Sequence, residues 1–270
     1  MSPLSTKKRL LRHCGRLIRE FDLIKDGDNI MVAVSGGKDS LALLYLLAEL
    51  RRKAPVKFHL VAVHLYQGQP GFELDGVREN VAKLGFELVV INKPTYNIVQ
   101  QKRREGQVAC FMCSRLRRGI LYNHAHENGF NKIALGHHRE DMLETFLLNL
   151  FRTGQIKTIP PLLVSDDKRN TIIRPLLYCP ESELITLVEG LGIKPVPCGF
   201  CSSQPEQERK RMRRLIEELE KENPTLREVM VAAMKNVRAG YLLDKGLLTT
   251  RVGAFESEPE SSEILSADNF

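Results

Sequence analysis

The chain has 270 residues, 43% of them hydrophobic, which is enough for one sizeable core with additions. No run of about 18 apolar residues is present to span a bilayer, and the basic N-terminus lacks the apolar stretch of a secretory signal, so we expect a cytoplasmic protein with no membrane partner. Its 40 basic and 33 acidic side chains give a net charge of +7, and five of the acids lie in the last fifteen residues. The more basic remainder favours a polyanionic partner such as RNA.

Residues 1–26 are predicted to contain a basic N-terminal helix, helical over residues 4–24. Apolar side chains recur at helical spacing on one face, namely Leu10, Leu11, Cys14, Leu17, Ile18 and Phe21. The other face carries Lys7, Lys8, Arg12, Arg16 and Arg19. Such a face either contacts RNA or is simply solvated, and the sequence favours neither.

The segment Met31-Val-Ala-Val-Ser-Gly-Gly-Lys-Asp-Ser40 predicts a strand, over residues 29–34, that ends in a phosphate-binding loop. Gly36 and Gly37 let backbone N–H groups turn toward an anion, and a helix starting near Ser40 directs the positive end of its dipole to the same place. Lys38 supplies a charge, and Ser35 and Ser40 supply hydroxyl donors. The spacing differs from that of the Walker P-loop.

Strands and helices alternate over residues 27–195. After the first strand, apolar runs predict strands at residues 58–65, 87–91, 132–135 and 171–176, with helices at residues 40–51, 73–84 and 182–191. Residues 151–169 are predicted to form a loop because of their prolines and aspartates. The pattern predicts an α/β fold with a parallel five-stranded sheet and helices on both faces.

A second polar segment, Gly136-His-His-Arg-Glu-Asp141, follows the predicted strand at residues 132–135 and so reaches the same sheet edge as the phosphate loop. Glu140 and Asp141 at a helix start are ordinary partners of the helix dipole, but beside a phosphate loop at least one of them suits a magnesium or catalytic role. The adjacent His137 and His138 point apart and do not predict a zinc site.

Four of the six cysteines form two Cys-x-x-Cys pairs, Cys110 with Cys113 and Cys198 with Cys201. The first pair is predicted to lie just before a helix that begins near Ser114, whose free N–H groups and dipole favour thiolate. A cytosolic chain rarely forms disulfides, so the pairs indicate a zinc site, an iron–sulfur cluster or redox chemistry. The redox pair is the least favoured, because neither pair opens a thioredoxin-like unit.

Residues 196–250 are predicted to combine the second cysteine pair with helices at residues 207–221 and 226–237. The first of these helices carries the basic run Arg209-Lys-Arg-Met-Arg-Arg214, which is either an interaction surface or a solvated face. Farther on the composition turns to Glu, Ser and Pro, and residues 251–270 are predicted to be a disordered acidic tail.

Five motifs, in the same order, resemble those of the tRNA 2-thiocytidine synthetase family within the PP-loop ATP pyrophosphatase superfamily. They are Ser35-Gly-Gly-Lys-Asp-Ser40, Cys110-Phe-Met-Cys113, Gly136-His-His-Arg-Glu-Asp141, Arg174-Pro-Leu176 and Pro197-Cys-Gly-Phe-Cys201. The resemblance extends over about residues 7–245. It implies a PP-loop fold, similar to that of the adenine nucleotide alpha hydrolases, with cysteine-bearing and C-terminal helical additions.

The resemblance also implies site residues. ATP and Mg²⁺ are expected at Ser35, Gly36, Gly37, Lys38, Asp39, Ser40 and Gly136, with catalytic roles for Lys38, Asp39 and Asp141. A [4Fe-4S] cluster is expected on Cys110, Cys113 and Cys201, with Cys198 as the alternative third ligand. The family commonly has two aspartates where this chain has Glu140 and Asp141, so the role of Glu140 is left open.

The implied reaction is the ATP-dependent thiolation of cytidine 32 in the anticodon loop of tRNA. ATP adenylates the C2 oxygen, and sulfide carried on the cluster displaces AMP to leave 2-thiocytidine. A cysteine desulfurase or another donor is expected to supply the sulfur, and a homodimer is implied. The alternatives are a related tRNA 2-thiouridine synthetase and a nonenzymatic RNA-binding protein stapled by zinc.

Overall fold

The computed structural model describes residues 3–97, 109–196 and 204–249. The chain divides into two compact units, Met1–Glu222 and Asn223–Phe270, and the first contains a six-stranded sheet. Its strands are β1 (Asp28–Ala33), β2 (Phe58–Tyr66), β3 (Leu88–Asn92), β4 (Lys132–Ala134), β5 (Leu162–Val164) and β6 (Thr171–Ile173). Its helices are α1 (Pro3–Glu20), α2 (Lys38–Arg51), α3 (Leu74–Lys83), α4 (Ala109–Glu127), α5 (Arg139–Leu148), α6 (Glu181–Gly190) and α7 (Gln204–Glu220), and a π-helical turn, Asn149–Thr153, follows α5.

The sheet has the strand order β3-β2-β1-β4-β6-β5. Strands β1, β2, β3, β4 and β6 are parallel, which confirms the five parallel strands predicted from the sequence. In the central strand β1, Met31 pairs with Val61 of β2 on one side and with Ile133 of β4 on the other. The chain builds outward from β1 to β3 and then returns to add β4 on the other side of β1. The chain therefore continues to opposite sides of the sheet after β1 and after β4, and this switch point leaves a crevice at the carboxyl edge.

Both faces of the central strand are covered. Ile30, Met31 and Val32 are all fully buried, and successive side chains of a strand point to opposite faces. Helix α4 covers one face, where its Leu121 and Ala125 join a cluster with Met31, Ala33, Val63, Leu65, Ile91 and Ile133. Helix α2 contacts β1 and β2 and packs with α1 and α6. The α/β architecture is thus the one that the alternating pattern predicts.

The N-terminal helix is part of this core. Leu10, Cys14 and Leu17 of α1 are completely buried, as the helical spacing of its apolar residues predicts. Arg9 of the same helix pairs with Glu183 of α6 at 2.9 Å. Because both apolar and charged contacts fix α1 to α6, the helix is an integral element of the α/β unit.

Two predictions about local structure were wrong. Residues 151–169 are not all loop, because β5 pairs antiparallel with β6 at the sheet edge. Its three residues are at least 37% exposed and follow two prolines, so the sequence has no buried pattern there. Helix α4 begins at Ala109 rather than near Ser114, and Cys110 and Cys113 thus lie inside its opening turns. No glycine or proline interrupts residues 109–113, so the helix extends through them.

The second unit contains α8 (Leu226–Lys235), a 3₁₀ turn at Ala239–Tyr241 and α9 (Lys245–Thr249). Helix α8 forms where the sequence predicts it but buries none of its residues, and Val229 is 51% exposed. Over the described ranges of both units, no helix combines the length and the apolar character needed to cross a membrane.

Candidate active site

The loop after β1 has the backbone that an anion-binding turn requires. Gly36 has a φ of +92°, in the left-handed region, and a Cβ atom at this position would lie 2.9 Å from Cγ2 of Val77. Glycine is therefore required by both the backbone and the space around it. Gly37 is the extended N-cap residue of α2, whose first turn contains Lys38 and Asp39. The positive end of this helix faces the crevice.

Two hydroxyl groups hold the loop in shape. The Ser40 hydroxyl accepts a hydrogen bond from the Ser35 N–H group at 3.1 Å and donates one to the Gly37 carbonyl at 2.9 Å. The Ser35 hydroxyl in turn accepts a bond from the Gly37 N–H group at 3.3 Å. Ser40 is buried, so the loop is pre-shaped by internal bonds and needs no ligand to define it.

Gly136 brings the second loop against the first. A Cβ atom on Gly136 would lie 3.0 Å from the backbone carbon and oxygen of Asp39 and from the nitrogen of Ser40. Backbone atoms cannot yield at that distance, so only glycine allows the two loops to touch. The structure therefore brings together the predicted residues of the phosphate loop and those of the segment 136–141.

Lys38 has a partner that the sequence analysis did not identify. Its Nζ atom lies 2.8 Å from Oε1 of Glu181 and 3.1 Å from Oδ2 of Asp39. Burial would lower the pKa of Lys38, but the hydrogen bond to Glu181 and the charge of Asp39 outweigh burial and raise the pKa. Glu181 opens α6, shortly after the parallel strand β6, and its position beyond the carboxyl end of that strand was the signal for it.

His138 is surrounded by carboxylates. Its imidazole nitrogens lie 3.3 Å from Glu140, 3.5 Å from Asp141, 3.7 Å from Glu181 and 3.9 Å from Asp39, and the side chain is buried. Burial would lower the pKa of His138, but the contact with Glu140 and the charges of Asp141 and Asp39 outweigh it and raise the pKa. Sequence reasoning rejected His138 as a zinc ligand but did not anticipate its place among these acids.

Asp39 and Asp141 reach the crevice from adjoining loops. Burial raises the pKa of Asp39, and the charges of His138 and Lys38 partly oppose that increase. Its buried Oδ1 atom has no hydrogen-bond partner within the described ranges. Asp141 accepts a hydrogen bond from the backbone N–H group of His138 at 3.0 Å and pairs with Arg209 at 3.6 Å.

Glu140 is directed away from this pair. It accepts a bond from the Arg139 guanidinium at 2.9 Å and one from the Glu181 N–H group at 2.8 Å. Burial would raise the pKa of Glu140, but the hydrogen bond with His138, the charge of Arg139 and the Glu181 N–H group lower it to about 2. Glu140 therefore fixes the start of α6 beside the crevice, a role that the sequence had left open.

Helix α7 extends the ion-pair network. Arg213 donates to Oε1 of Glu144 at 2.7 Å and lies 3.2 Å from Oε2 of Glu181, the residue that also holds Lys38. Burial would lower the pKa of Arg213, but the hydrogen bond to Glu144 and the charge of Glu181 raise it. The basic run, which the sequence left as either an interaction surface or a solvated face, thus places two of its arginines, Arg209 and Arg213, at the crevice.

The segments that the structure describes on either side of the second cysteine pair both contact this crevice. The Val196 N–H group donates to the Gly36 carbonyl at 3.0 Å, and Asn80 donates to the Lys194 carbonyl at 2.7 Å. On the far side, α7 is held through Arg209 and Arg213. Cys198 and Cys201 themselves lie outside the described residues.

Cys113 lies at the same carboxyl edge of the sheet. Its Sγ atom is 3.7 Å from the amide nitrogen of Gln67, the residue that follows β2. Gln67 is buried and also donates to the Thr95 hydroxyl at 2.8 Å, so its orientation is fixed. A fixed N–H donor directed at sulfur favours the thiolate, the form in which cysteine binds metals. The side chain of Cys110 lies outside the described residues.

The other two cysteines lie in the core of the protein and not at this edge of the sheet. Cys14 and Cys179 are completely buried, and burial raises the pKa of Cys14 to about 12 and that of Cys179 well above its usual value. These thiols are core residues. Within the described ranges, no three histidine, cysteine or acidic side chains converge to hold a metal ion.

Comparisons with known proteins give a consistent assignment. Residues 7–219 match the PP-loop domain family. The tRNA-cytidine(32) 2-sulfurtransferase of Anaeromyxobacter dehalogenans strain 2CP-C is 47% identical over 241 residues, which cover 89% of this chain and 83% of the relative. That of Tolumonas auensis is 45% identical over 259 residues, which cover 96% and 84%.

A solved structure shows the same fold. The U34-tRNA thiolase NcsA of Methanococcus maripaludis, determined with its [4Fe-4S] cluster, matches with a TM-score of 0.67 and 24% sequence identity, over 85% of this chain and 78% of that one. The same family is indicated by the five motifs, by the phosphate loop at the crevice and by the extent of the sequence identity. The chain belongs to the PP-loop family and, within it, to the family of the tRNA-cytidine(32) 2-sulfurtransferases.

Proposed function

We propose that this protein is an ATP-dependent tRNA sulfurtransferase that converts cytidine 32 of the anticodon loop to 2-thiocytidine. The observation that carries the proposal is the meeting, at one edge of the sheet, of the phosphate loop with Lys38 and of the hydrogen-bonded Cys113. A nucleotide site and a sulfur site on the same edge suit a reaction that activates a base with ATP and then adds sulfur to it. The names of the relatives support cytidine 32 as the target.

ATP is proposed to bind at Ser35, Gly36, Gly37, Lys38, Asp39, Ser40 and Gly136. The loop amides and the start of α2 stabilise the phosphates, and Lys38 neutralises the charge that develops on the leaving pyrophosphate. Proteins usually bind Mg²⁺ through one or two carboxylates together with substrate phosphates. The acids that lie beside Lys38 and His138 suit this ion for that reason. Asp39, whose Oδ1 atom has no hydrogen-bond partner among the described residues, and the neighbouring Asp141 provide those carboxylates.

The sulfur site is proposed on Cys110, Cys113 and Cys201, with Cys198 as the alternative to Cys201. The fixed amide of Gln67 beside Cys113 fits a thiolate ligand of a [4Fe-4S] cluster. Arg115 and Arg117, which follow Cys113 in α4, add positive charge that also favours thiolate. When bound by three cysteines, such a cluster has one iron free of protein ligands and so supplies a place for sulfide.

The reaction then has two steps. The C2 oxygen of cytidine attacks the α-phosphorus of ATP, and pyrophosphate leaves. A sulfur nucleophile next adds to C2, and the C–O bond breaks as AMP departs with the oxygen. Lys38, held by Asp39 and Glu181, is positioned to stabilise the first departure. A cysteine desulfurase is the proposed sulfur source, and a homodimer the proposed assembly.

The test is mass spectrometry of tRNA nucleosides from cells that lack this protein and from the same cells after it is restored. Loss and return of 2-thiocytidine is the expected result. An Asp39→Asn chain should fail to restore 2-thiocytidine while keeping its iron and labile sulfide, because the substitution affects only the nucleotide site. Unchanged 2-thiocytidine with missing 2-thiouridine would identify a uridine thiolase instead, and zinc in place of iron and labile sulfide would contradict the cluster.

A further inference from the structure

The outward face of α7 and the π-helical turn after α5 enclose a pocket that the proposed ATP and sulfur sites do not use. It has a volume of about 420 Å³ and is lined by Phe151 and Arg152 of the turn and by Arg211, Met212, Arg214 and Glu218 of α7, among others. We call it the α7 pocket. Three of these six side chains are cationic and one is aromatic, a composition unlike that of the acid-rich crevice.

The positive charge of the α7 pocket is only partly neutralised from within, since Glu208 pairs with Arg152 and Glu218 is among the lining residues. Arg209 and Arg213 lie on the inward face of α7 and are paired with Asp141 and Glu144. Arg211 and Arg214, three positions apart, share the opposite face and are exposed. In the part of the chain that the structure describes, neither of these two arginines makes an ion pair or a hydrogen bond. Two guanidinium groups are thus available to an anionic ligand.

The aromatic side chain of the pocket is unusually exposed for its size. Phe151 is 57% exposed, and its neighbours Leu150 and Ile156 are 37% and 62% exposed. The turn is terminated by Gly154 with a φ of +63°. Arg152 lines the same pocket, and its guanidinium donates to Glu208 at 2.9 Å. An exposed ring beside free arginines is the combination that single-stranded RNA uses, because bases stack on the ring and phosphates pair with the cations.

The α7 pocket also lies at a suitable distance from the chemistry. Arg213 on the inward face contacts Glu181, which holds Lys38. One helix diameter, roughly 10 Å, separates the two faces of α7. We propose that the α7 pocket binds an unpaired nucleotide next to the reacting base of the RNA substrate, with its base stacked on Phe151 and flanking phosphates on Arg211 and Arg214. This inference rests on the proposed function, since it takes tRNA as the substrate.

The test compares binding of unmodified tRNA to three variants of the full chain at several salt concentrations. Arg211→Ala with Arg214→Ala should weaken binding about ten-fold and reduce the slope of log K against log salt by about 1.4, the value for two single-strand phosphate contacts. Phe151→Ala should weaken binding about ten-fold but leave the slope unchanged, because stacking releases no counterions. The control, Arg52→Ala with Lys53→Ala, removes the same amount of positive charge. These two residues follow the C-terminal end of α2, about 20 Å along that helix from the phosphate loop.

The results that would overturn the α7 pocket differ from those that would overturn the proposed function. Unchanged affinity and slope in Arg211→Ala with Arg214→Ala, or equal losses in the control, would overturn the α7 pocket as an RNA site. Full tRNA binding by the variants together with lost binding of a sulfur-donor protein would also overturn it and make the surface a protein interface. Thiolation of tRNA by the wild-type chain is measured separately, so a wild type that binds tRNA without thiolating it would refute the proposed function and not the pocket.

Discussion

At the scale of single residues, Glu181 links the parts of the crevice. One of its carboxylate oxygens is 2.8 Å from Lys38 and the other 3.2 Å from Arg213. A single side chain thus connects the phosphate loop to α7, the helix that follows the second cysteine pair. Since Lys38 is proposed to act on the leaving pyrophosphate, Glu181 is a positioning residue for it.

The variant Glu181→Gln tests that role. We expect pyrophosphate release to slow about ten-fold, because the amide keeps the shape of the side chain but not the charge that fixes Lys38. Iron and labile sulfide should stay at the wild-type level, and Glu181→Asp should restore part of the rate. Glu183→Gln is the matched control, since Glu183 lies on the same helix but pairs with Arg9. An equal loss in both variants would assign the effect to α6 stability instead.

Glu140 should matter for stability rather than for chemistry. Its pKa is about 2, against an ordinary value of 4.5, so the ionised form stabilises the folded state by roughly 3 kcal/mol above the ordinary pKa. Because the folded-state pKa is depressed, this contribution is present near pH 7 and is lost as the pH falls from 4.5 toward 2. Glu140→Gln should therefore lower the free energy of unfolding near pH 7.

Urea unfolding of wild type and Glu140→Gln over a range of pH measures this difference. The gap between the two proteins should narrow below about pH 4.5. A gap that stays constant down to the lowest pH at which both chains fold would show that the lost energy is not electrostatic. Glu73→Gln, at an exposed position, serves as the control for the removal of a surface carboxylate.

At the scale of elements, the two crevice loops depend on one close approach. The added methyl group of Gly136→Ala would lie 3.0 Å from backbone atoms of Asp39 and Ser40. The phosphate loop cannot move away without disturbing the hydrogen bonds between Ser35, Gly37 and Ser40. We expect a loss of about 1–3 kcal/mol in the free energy of unfolding, together with weaker ATP binding.

Gly119→Ala is the matched control for that experiment. Gly119 lies within α4, and a Cβ atom added there meets nothing within 4 Å. Alanine at this helical position should raise the free energy of unfolding by up to about 1 kcal/mol and leave ATP binding unchanged. If Gly136→Ala is as stable as the wild type and binds ATP equally well, the loops are not held by this contact.

The elements also show what a pattern of residues can and cannot predict. The five parallel strands lie within apolar runs of the sequence, and those runs predicted them to within a few residues. Strand β5 was missed because three exposed residues after two prolines carry no periodic signal. The start of α4 was predicted near Ser114, which is too late, because nothing in residues 109–113 opposes a helix.

At the scale of the whole molecule, the strand order gathers the site. The chain adds β4 beside β1 only after completing β2 and β3 on the other side. The loops after β1 and β4 then meet at Gly136, and the residue after β2, Gln67, reaches Cys113 at the same edge. Residues that are far apart in the sequence thus form one crevice because parallel strands present all their carboxyl ends to it.

The sequence by itself determined the local features: the phosphate loop from Ser35 to Ser40, the alternation of strands and helices, the two cysteine pairs, and the family. These follow from glycine conformation, apolar periodicity and motif spacing, all of which act over a few neighbouring residues. Only the tertiary structure decided that Glu181 pairs with Lys38 and that His138 lies among four acids. Those contacts join residues up to about 140 positions apart, and they exist only once the strand order has brought the loops together.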